Sequence, residues 1–197
     1  MVIGTDADGV LTDMSGFNYT YGEKFFGHEP AAPDGYTTAE IFGESKLREV
    51  LFGIRYFYEY CYKIEPRKNS SSVCRRLCSQ GHSIYAITAR KFSAMKNPLG
   101  SLSRSMFRKW VKKNGLMLDD IFFCSEKNTT SEKLKYCRAV NADIMIDDKP
   151  DIALHLAENG INVLLFDAPY NKSVRHRNIT RVHSWDEIYN YVNGCSK

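Results

Sequence analysis

The run Gly4-Thr5-Asp6-Ala7-Asp8-Gly9-Val10-Leu11-Thr12-Asp13 constrains this chain more than any other stretch. The apolar Met1-Val2-Ile3 leads into it, which predicts a strand that ends at the first aspartate. Side chains alternate along a strand, so Asp6 and Asp8 share one face while Ala7 points away. Gly9 has no side chain and lets the backbone pass close to whatever sits there. Neighbouring carboxylates repel unless a cation or a shared proton intervenes. The stretch is therefore a candidate divalent-metal site, or a nucleophile beside an acid.

From residue 69 onward strands and helices alternate. Ile84-Tyr85-Ala86-Ile87 predicts a strand ending at Thr88, and Ile121-Phe122-Phe123-Cys124 a second. Asp143-Ile144-Met145-Ile146 predicts another, ending at Asp147-Asp148, and Val163-Leu164-Leu165-Phe166 is expected to be the last. Between them lie helical patterns: one over about 70–80 closing at Gly81, one around Leu102–Val111 stopping at Asn114-Gly115, and one ending at Asn159-Gly160. Thr129-Thr130-Ser131-Glu132 and Ser184-Trp185-Asp186-Glu187 have the form of capping boxes that open two more. Such alternation predicts an α/β fold, a parallel sheet with helices on both faces. Ligands bind such sheets at the carboxyl ends of the strands.

The stretch between the opening motif and this alternation reads differently. Residues 14–36 hold Phe17, Tyr19, Tyr21, Phe25 and Phe26 with no clean period. A helix is expected from Ser45, its N-cap, to about Tyr62, with Leu47, Val50, Leu51, Ile54, Phe57, Tyr58 and Cys61 recurring at threes and fours; Pro66 ends it. The expected organisation is an α/β core of 1–13 and 67–197, with 14–66 as an inserted helical subdomain. A chain of 197 residues accommodates one domain with such an insertion.

Three strand ends and one helix start then supply the chemistry. Asp6 and Asp8 end the first strand, Thr88 the second, Asp147 and Asp148 the fourth, and Lys133 lies near the start of the helix before the fourth. Phosphoryl transfer needs an aligned nucleophile and stabilised charge on the phosphoryl oxygens. An ionised aspartate can be that nucleophile. Mg²⁺ takes one or two carboxylates with phosphate oxygens and waters, which fits Asp6 and Asp147. A lysine and a threonine hydroxyl would hold the remaining oxygens, and a protonated carboxyl would serve the leaving group.

These residues resemble the motifs of the haloacid dehalogenase-like hydrolases. Asp6-Ala7-Asp8-Gly9-Val10-Leu11-Thr12-Asp13 is similar to the first motif, Ile87-Thr88-Ala89-Arg90 to the second, Lys133 to the third and Ile146-Asp147-Asp148-Lys149-Pro150 to the fourth. The Lys133-to-Asp147 spacing, with Leu165–Asn171 and Arg181-Val182, resembles the subgroup of 5′-nucleotidases, pyrimidine deoxynucleotidases among them. The resemblance implies a Rossmann-like sheet and a helical cap formed by 14–66. It implies Asp6 as nucleophile and Asp8 as general acid/base, with Thr88 and Lys133 on the phosphate. It also implies a Mg²⁺ held by Asp6, the Asp8 carbonyl and Asp147, supported by Asp148. Asp151 is a further candidate for the metal shell, Lys135 a competitor of Lys133, and Arg90 and Lys149 candidates for the substrate rim. The substrate implied first is a mononucleotide and second a phosphosugar or polyol phosphate. In that setting one or two rings from Phe17–Phe26 or from the Ser45–Tyr62 helix would stack on a base.

A receiver-like signalling protein also pairs aspartates with a threonine and a lysine, but its acidic pair comes early and its acceptor aspartate mid-chain, the reverse of the order here. A non-catalytic phosphate-binding protein would have lost the nucleophile or the acid, and both are present. The net charge of +4 falls short of the basic stripe that nucleic-acid binding needs; Lys172, Arg175, His176, Arg177 and Arg181 are expected to form a solvated loop. A mean hydropathy of −0.39 and the absence of an apolar run approaching the roughly 20 residues of a spanning helix argue against a membrane protein. With a core strand expected from residue 1, no targeting segment is expected and the location expected is cytoplasmic. The scattered Cys61, Cys74, Cys78, Cys124, Cys137 and Cys195 read as free thiols, with no second pair to complete a zinc site.

Overall fold

The computed structural model describes residues 1–194. Its centre is a sheet of six parallel strands: β1 (Val2–Thr5), β2 (Ser83–Thr88), β3 (Asp120–Phe123), β4 (Ile144–Asp147), β5 (Asn162–Phe166) and β6 (Ile179–Val182). Their order is β3-β2-β1-β4-β5-β6, so the direction of winding reverses between β1 and β4. Ile144-Met145-Ile146 and Val163-Leu164-Leu165-Phe166 are buried on both faces, which is why these strands read as unbroken apolar runs. β6 is a strand beyond the one expected to be last. It pairs only with β5, and as an edge strand it alternates Ile179, Thr180, Arg181 and Val182 instead of presenting an apolar run.

Helices cover both faces. On one side α4 (Ser70–Ser79), α5 (Pro98–Lys113) and α8 (Trp185–Gly194) bury Val73, Leu77, Phe107, Trp110, Trp185 and Ile188. On the other, α6 (Thr129–Ala139) and α7 (Pro150–Glu158) bury Leu134, Cys137, Ile152, Ala153 and Leu156. Ser184 accepts from the Glu187 amide at the start of α8, as expected. The box expected at Thr129 does not form: Asn128 is the N-cap position, and the Glu132 carboxylate accepts from the Ser125 amide at 2.7 Å instead. Among the described residues no helix is long and apolar enough to cross a membrane. Cys61, Cys74, Cys78, Cys124 and Cys137 are free, and Cys195 lies outside the described residues.

The insertion leaves and returns at one place. Asp13 N donates to Glu65 O and Arg67 N to Leu11 O, both at 2.8 Å, and Thr12 bridges to Pro66. Two buried indoles bond the backbone at these roots, Trp185 to Val10 O at 2.9 Å and Trp110 to Ile64 O at 2.6 Å.

Within the insertion the structure departs from expectation twice. The stretch without a clean period contains a helix, α1 (Met14–Phe26), capped by the Asp13 side chain on Gly16 N at 3.1 Å and ended by Gly27 at φ 81°. Gly22 interrupts its apolar pattern because the Phe42 ring of α2 (Thr38–Phe42) lies where a side chain would stand. The second departure concerns Ser45–Tyr62. Ser45 caps as expected, but α3 (Lys46–Arg55) stops at Tyr56, and a separate wider π-helical turn, Glu59–Lys63, follows. The aliphatic stripe Leu47, Val50, Leu51 and Ile54 faces outward. Phe52 and Tyr56 face inward and meet Phe17, Tyr21, Phe25 and Phe26 at ring separations of 4.9 to 6.2 Å. Rings bury more area per residue than aliphatic side chains, so the ring-bearing face takes the interior. This aromatic cluster is continuous with the α4/α5/α8 core.

Candidate active site

Thr5 pairs with Ala86 of β2 on one side and Ile146 of β4 on the other. Asp6 therefore leaves β1 between two strand ends, at the reversal of strand order, and its amide continues the ladder to Ile146 O at 2.8 Å. Lys133 reaches this point from α6. Its Nζ lies 2.7 Å from Asp6 Oδ1 and 2.7 Å from Asp147 Oδ2, and all three residues are buried. Asp147 Oδ1 accepts from the Lys149 amide at 3.0 Å. Asp148 accepts from the Tyr170 hydroxyl, while Asn171 Nδ2 donates to its main-chain carbonyl at 2.7 Å. Gly9, at φ 81°, leaves the space that the Asp148 carboxylate fills; a Cβ there would overlap it.

Carboxylate oxygens of Asp6, Asp147 and Asp148 lie within 4.8 Å of one another. One ammonium faces these three acids. Burial pulls the Lys133 ammonium toward deprotonation, but Asp147 and Asp6 outweigh it and hold the group charged well above the usual lysine range. Burial raises Asp147 against the attraction of Lys133. Asp148 is pushed up to about 8 by burial and then by repulsion from Asp147 and Asp6. The cluster is short of positive charge, and its donors are all hard oxygens, the donor type that Mg²⁺ takes.

Asp8 lies to one side of this cluster. Its Oδ1 accepts from Arg90 Nη1 at 2.6 Å and its Oδ2 from the Tyr60 hydroxyl. Burial raises its carboxyl above the ordinary range, with Arg90 pulling the other way and Asp6 adding to the rise. A quarter of the Asp8 side chain remains open, and it faces the same cavity as Asp6.

That cavity, of about 340 Å³, brings together Asp6, Asp8, Thr88, Lys133, Asp147 and Asp148. Its far wall comes from the insertion, where Phe17, Phe52 and Tyr56 supply apolar surface. Asn18 and Thr38 add a buried polar pair joined by a 3.1 Å hydrogen bond. At the mouth Tyr36 meets Tyr170 edge-on at 4.9 Å.

Several expectations are corrected here. Arg90 is not on the rim: it is almost wholly buried, held in place by Asp8 and by Tyr60 O at 2.7 Å. Lys149 does line the cavity, its Nζ 5.5 Å from the Tyr36 ring centre. Asp151 stands apart from the acidic cluster, mostly exposed and paired with Lys149 at 3.6 Å. Lys135 lies over Tyr136, so Lys133 is the lysine that enters the site. Of the residues expected in a solvated loop, Lys172, Arg175 and Arg177 are exposed, whereas Arg181 lies on β6 and pairs with Asp167 at 2.8 Å. Tyr60 was anticipated only as one ring among many and Tyr170 only within a longer stretch. Their hydroxyls, bonded to Asp8 and Asp148, become visible once the chain is folded.

Residues 1–195 match the family model described as 5′ nucleotidase, deoxy (pyrimidine), cytosolic type C protein. A protein of Clostridium acetobutylicum named a nucleotidase is 35% identical over 141 residues, 69% of this chain and 66% of that one. A Bacillus cereus protein, also given a nucleotidase name, is 29% identical over 133 residues, 67% of this chain and 61% of that one. These alignments span just under two thirds of each relative's length. Among solved structures, a haloacid dehalogenase-like family hydrolase of Streptococcus pneumoniae superimposes with a TM-score of 0.65 over 97% of both chains at 18% identity, a likeness of fold.

Proposed function

The chain belongs to the cytosolic type C deoxy (pyrimidine) 5′ nucleotidase family, within the haloacid dehalogenase-like superfamily, and from that membership and the site we propose a Mg²⁺-dependent phosphomonoester hydrolase acting on small mononucleotides. The observation that carries this reading is Lys133 clamped between Asp6 and Asp147 at the floor of a cavity whose opposite wall is aromatic.

Asp6 is the nucleophile. Its bond to Lys133 fixes its direction, and its place at the end of β1 aims it into the cavity. Attack on phosphorus forms an Asp6–phosphorus bond as the bond from phosphorus to the leaving oxygen breaks. Asp8 donates a proton to that oxygen, then takes one from the water that releases phosphate from Asp6. The Lys133 ammonium and the Thr88 hydroxyl hold the non-bridging oxygens. Asp6, Asp147 and the Asp8 carbonyl would hold the Mg²⁺, with Asp148 in support; the acid-rich, cation-poor oxygen cluster fits it. When bound, the ion supplies the missing positive charge beside the phosphoryl group.

The helices of 14–66 act as a cap, and their rings favour a leaving group with an aromatic base over a phosphosugar. The free thiols support a cytoplasmic location. A panel of phosphomonoesters assayed with Mg²⁺ tests the reading. Nucleoside 5′-monophosphates should show the highest kcat/KM. A preference for a phosphosugar would replace the substrate and keep the mechanism, and no hydrolysis of any ester would remove both.

A further inference from the structure

Arg90 is among the largest side chains in the molecule to be fully buried. Its guanidinium lies between two rings, 4.3 Å from the centre of Tyr60 and 4.6 Å from that of Phe107. Nη1 donates to Asp8 Oδ1 at 2.6 Å and Nη2 to Tyr60 O at 2.7 Å, while Nε is buried without a partner. Tyr60 in turn donates its hydroxyl to Asp8 Oδ2 and accepts at that oxygen from the Lys91 amide at 3.4 Å. Both oxygens of one carboxylate are thus gripped by donors from two sources, the end of β2 and the π-helical turn of the insertion.

A buried ion pair is a poor way to add stability, because well-packed apolar residues of similar size do as well or better. Here the charge is retained, one donor is left unsatisfied, and the anion it serves is open to the cavity. An aspartate has a short side chain with two rotatable bonds, and fixing both oxygens fixes its plane. Proton transfer to a leaving oxygen depends steeply on that alignment.

We propose that Arg90 and Tyr60 are positioning residues for Asp8, holding its carboxyl in the orientation from which it passes a proton to the leaving oxygen. Because Tyr60 belongs to the insertion, that alignment is made only when the inserted helices are seated on the sheet. The inference rests on Asp8 being the acid/base of the proposed hydrolase.

The test compares two leaving groups in Tyr60→Phe and Arg90→Lys. A nucleoside 5′-monophosphate releases an alkoxide that needs the proton; p-nitrophenyl phosphate releases a stable phenolate that hardly does. Tyr60→Phe removes one hydroxyl and keeps the ring, so it decides the matter if Arg90→Lys does not fold. The expected result is a kcat/KM, which reports the step that expels the leaving group, lower by about tenfold or more on the nucleotide and by much less on the aryl ester. Asp8→Asn should show the same asymmetry more strongly. Equal losses of kcat/KM on both esters, or no loss on either, in a folded Tyr60→Phe would overturn the inference while leaving the hydrolase intact. A wild-type protein that cleaves neither ester would overturn the hydrolase reading itself, and this inference with it.

Discussion

The Asp148 carboxylate occupies the space that a side chain at Gly9 would take. Gly9 also holds φ at 81°, so its conformation and its emptiness serve the same neighbour. Gly9→Ala should destabilise the protein by about 1–2 kcal/mol from the left-handed backbone alone. It should also displace Asp148 and weaken Mg²⁺ binding. Calorimetric titration with Mg²⁺ beside a thermal melt separates the two effects, and unchanged metal affinity in the variant would contradict the placement.

Lys133 is the sole ammonium within reach of Asp6 and Asp147 among the described residues. Lys133→Met leaves two buried carboxylates uncompensated, a loss of about 3–5 kcal/mol by comparison with other broken buried pairs. Mg²⁺ should recover part of this loss, so the rise in Tm on adding it should be larger in the variant than in the wild type. A variant as stable as the wild type without metal would show that the clamp does not hold the site together.

How the helical insertion folds back on the sheet decides most of what the sequence does not disclose. The catalytic edge was readable because each reactive side chain follows an apolar strand at a fixed offset, as Asp147 follows Ile144-Met145-Ile146. α1 was not, because Gly16 and Gly22 break its period for reasons that lie in Asp13 and in the distant Phe42. α3 shows an aliphatic stripe at helical spacing, yet the stripe faces outward, since the partner across the interior is a set of rings on α1. Arg90 was visible as a cation beside the second motif. Its inward course depends on Tyr60, thirty residues earlier, arriving above it.

Tyr36 stands at the cavity mouth, edge-on to Tyr170 and under the Lys149 ammonium. Tyr36→Ala should raise KM for nucleoside monophosphates by an amount worth about 0.5–1.5 kcal/mol, the usual value of a ring–ring contact. KM for a small phosphosugar should change far less. Equal effects on both would place Tyr36 outside the leaving-group pocket.

His28 joins the end of α1 to the start of α3 through Glu44, which also pairs with Arg48. Its hydrogen bond to the Glu29 carbonyl, and then Glu44, raises the imidazole above its ordinary value, while Glu44 is lowered by His28. A folded-state value above the unfolded one means that the contact stabilises fully below the ordinary histidine range and fades as pH rises through the folded value. Histidine resonances should show His28 titrating late, and Glu44→Gln should bring it only part of the way back, because the Glu29 carbonyl remains. An unshifted His28 would deny the contact in solution.

If Asp6 attacks phosphorus, a covalent intermediate forms on its carboxylate and can be trapped. The protein is mixed with excess nucleoside monophosphate and Mg²⁺, quenched in acid and treated with borohydride, which reduces an aspartyl phosphate to homoserine. Mass spectrometry of the amino-terminal peptide then locates the change. Homoserine is expected at position 6, none at position 8, and none anywhere in Asp6→Asn. Homoserine at position 8, or rapid turnover with Asp6 always unmodified, would contradict attack by Asp6.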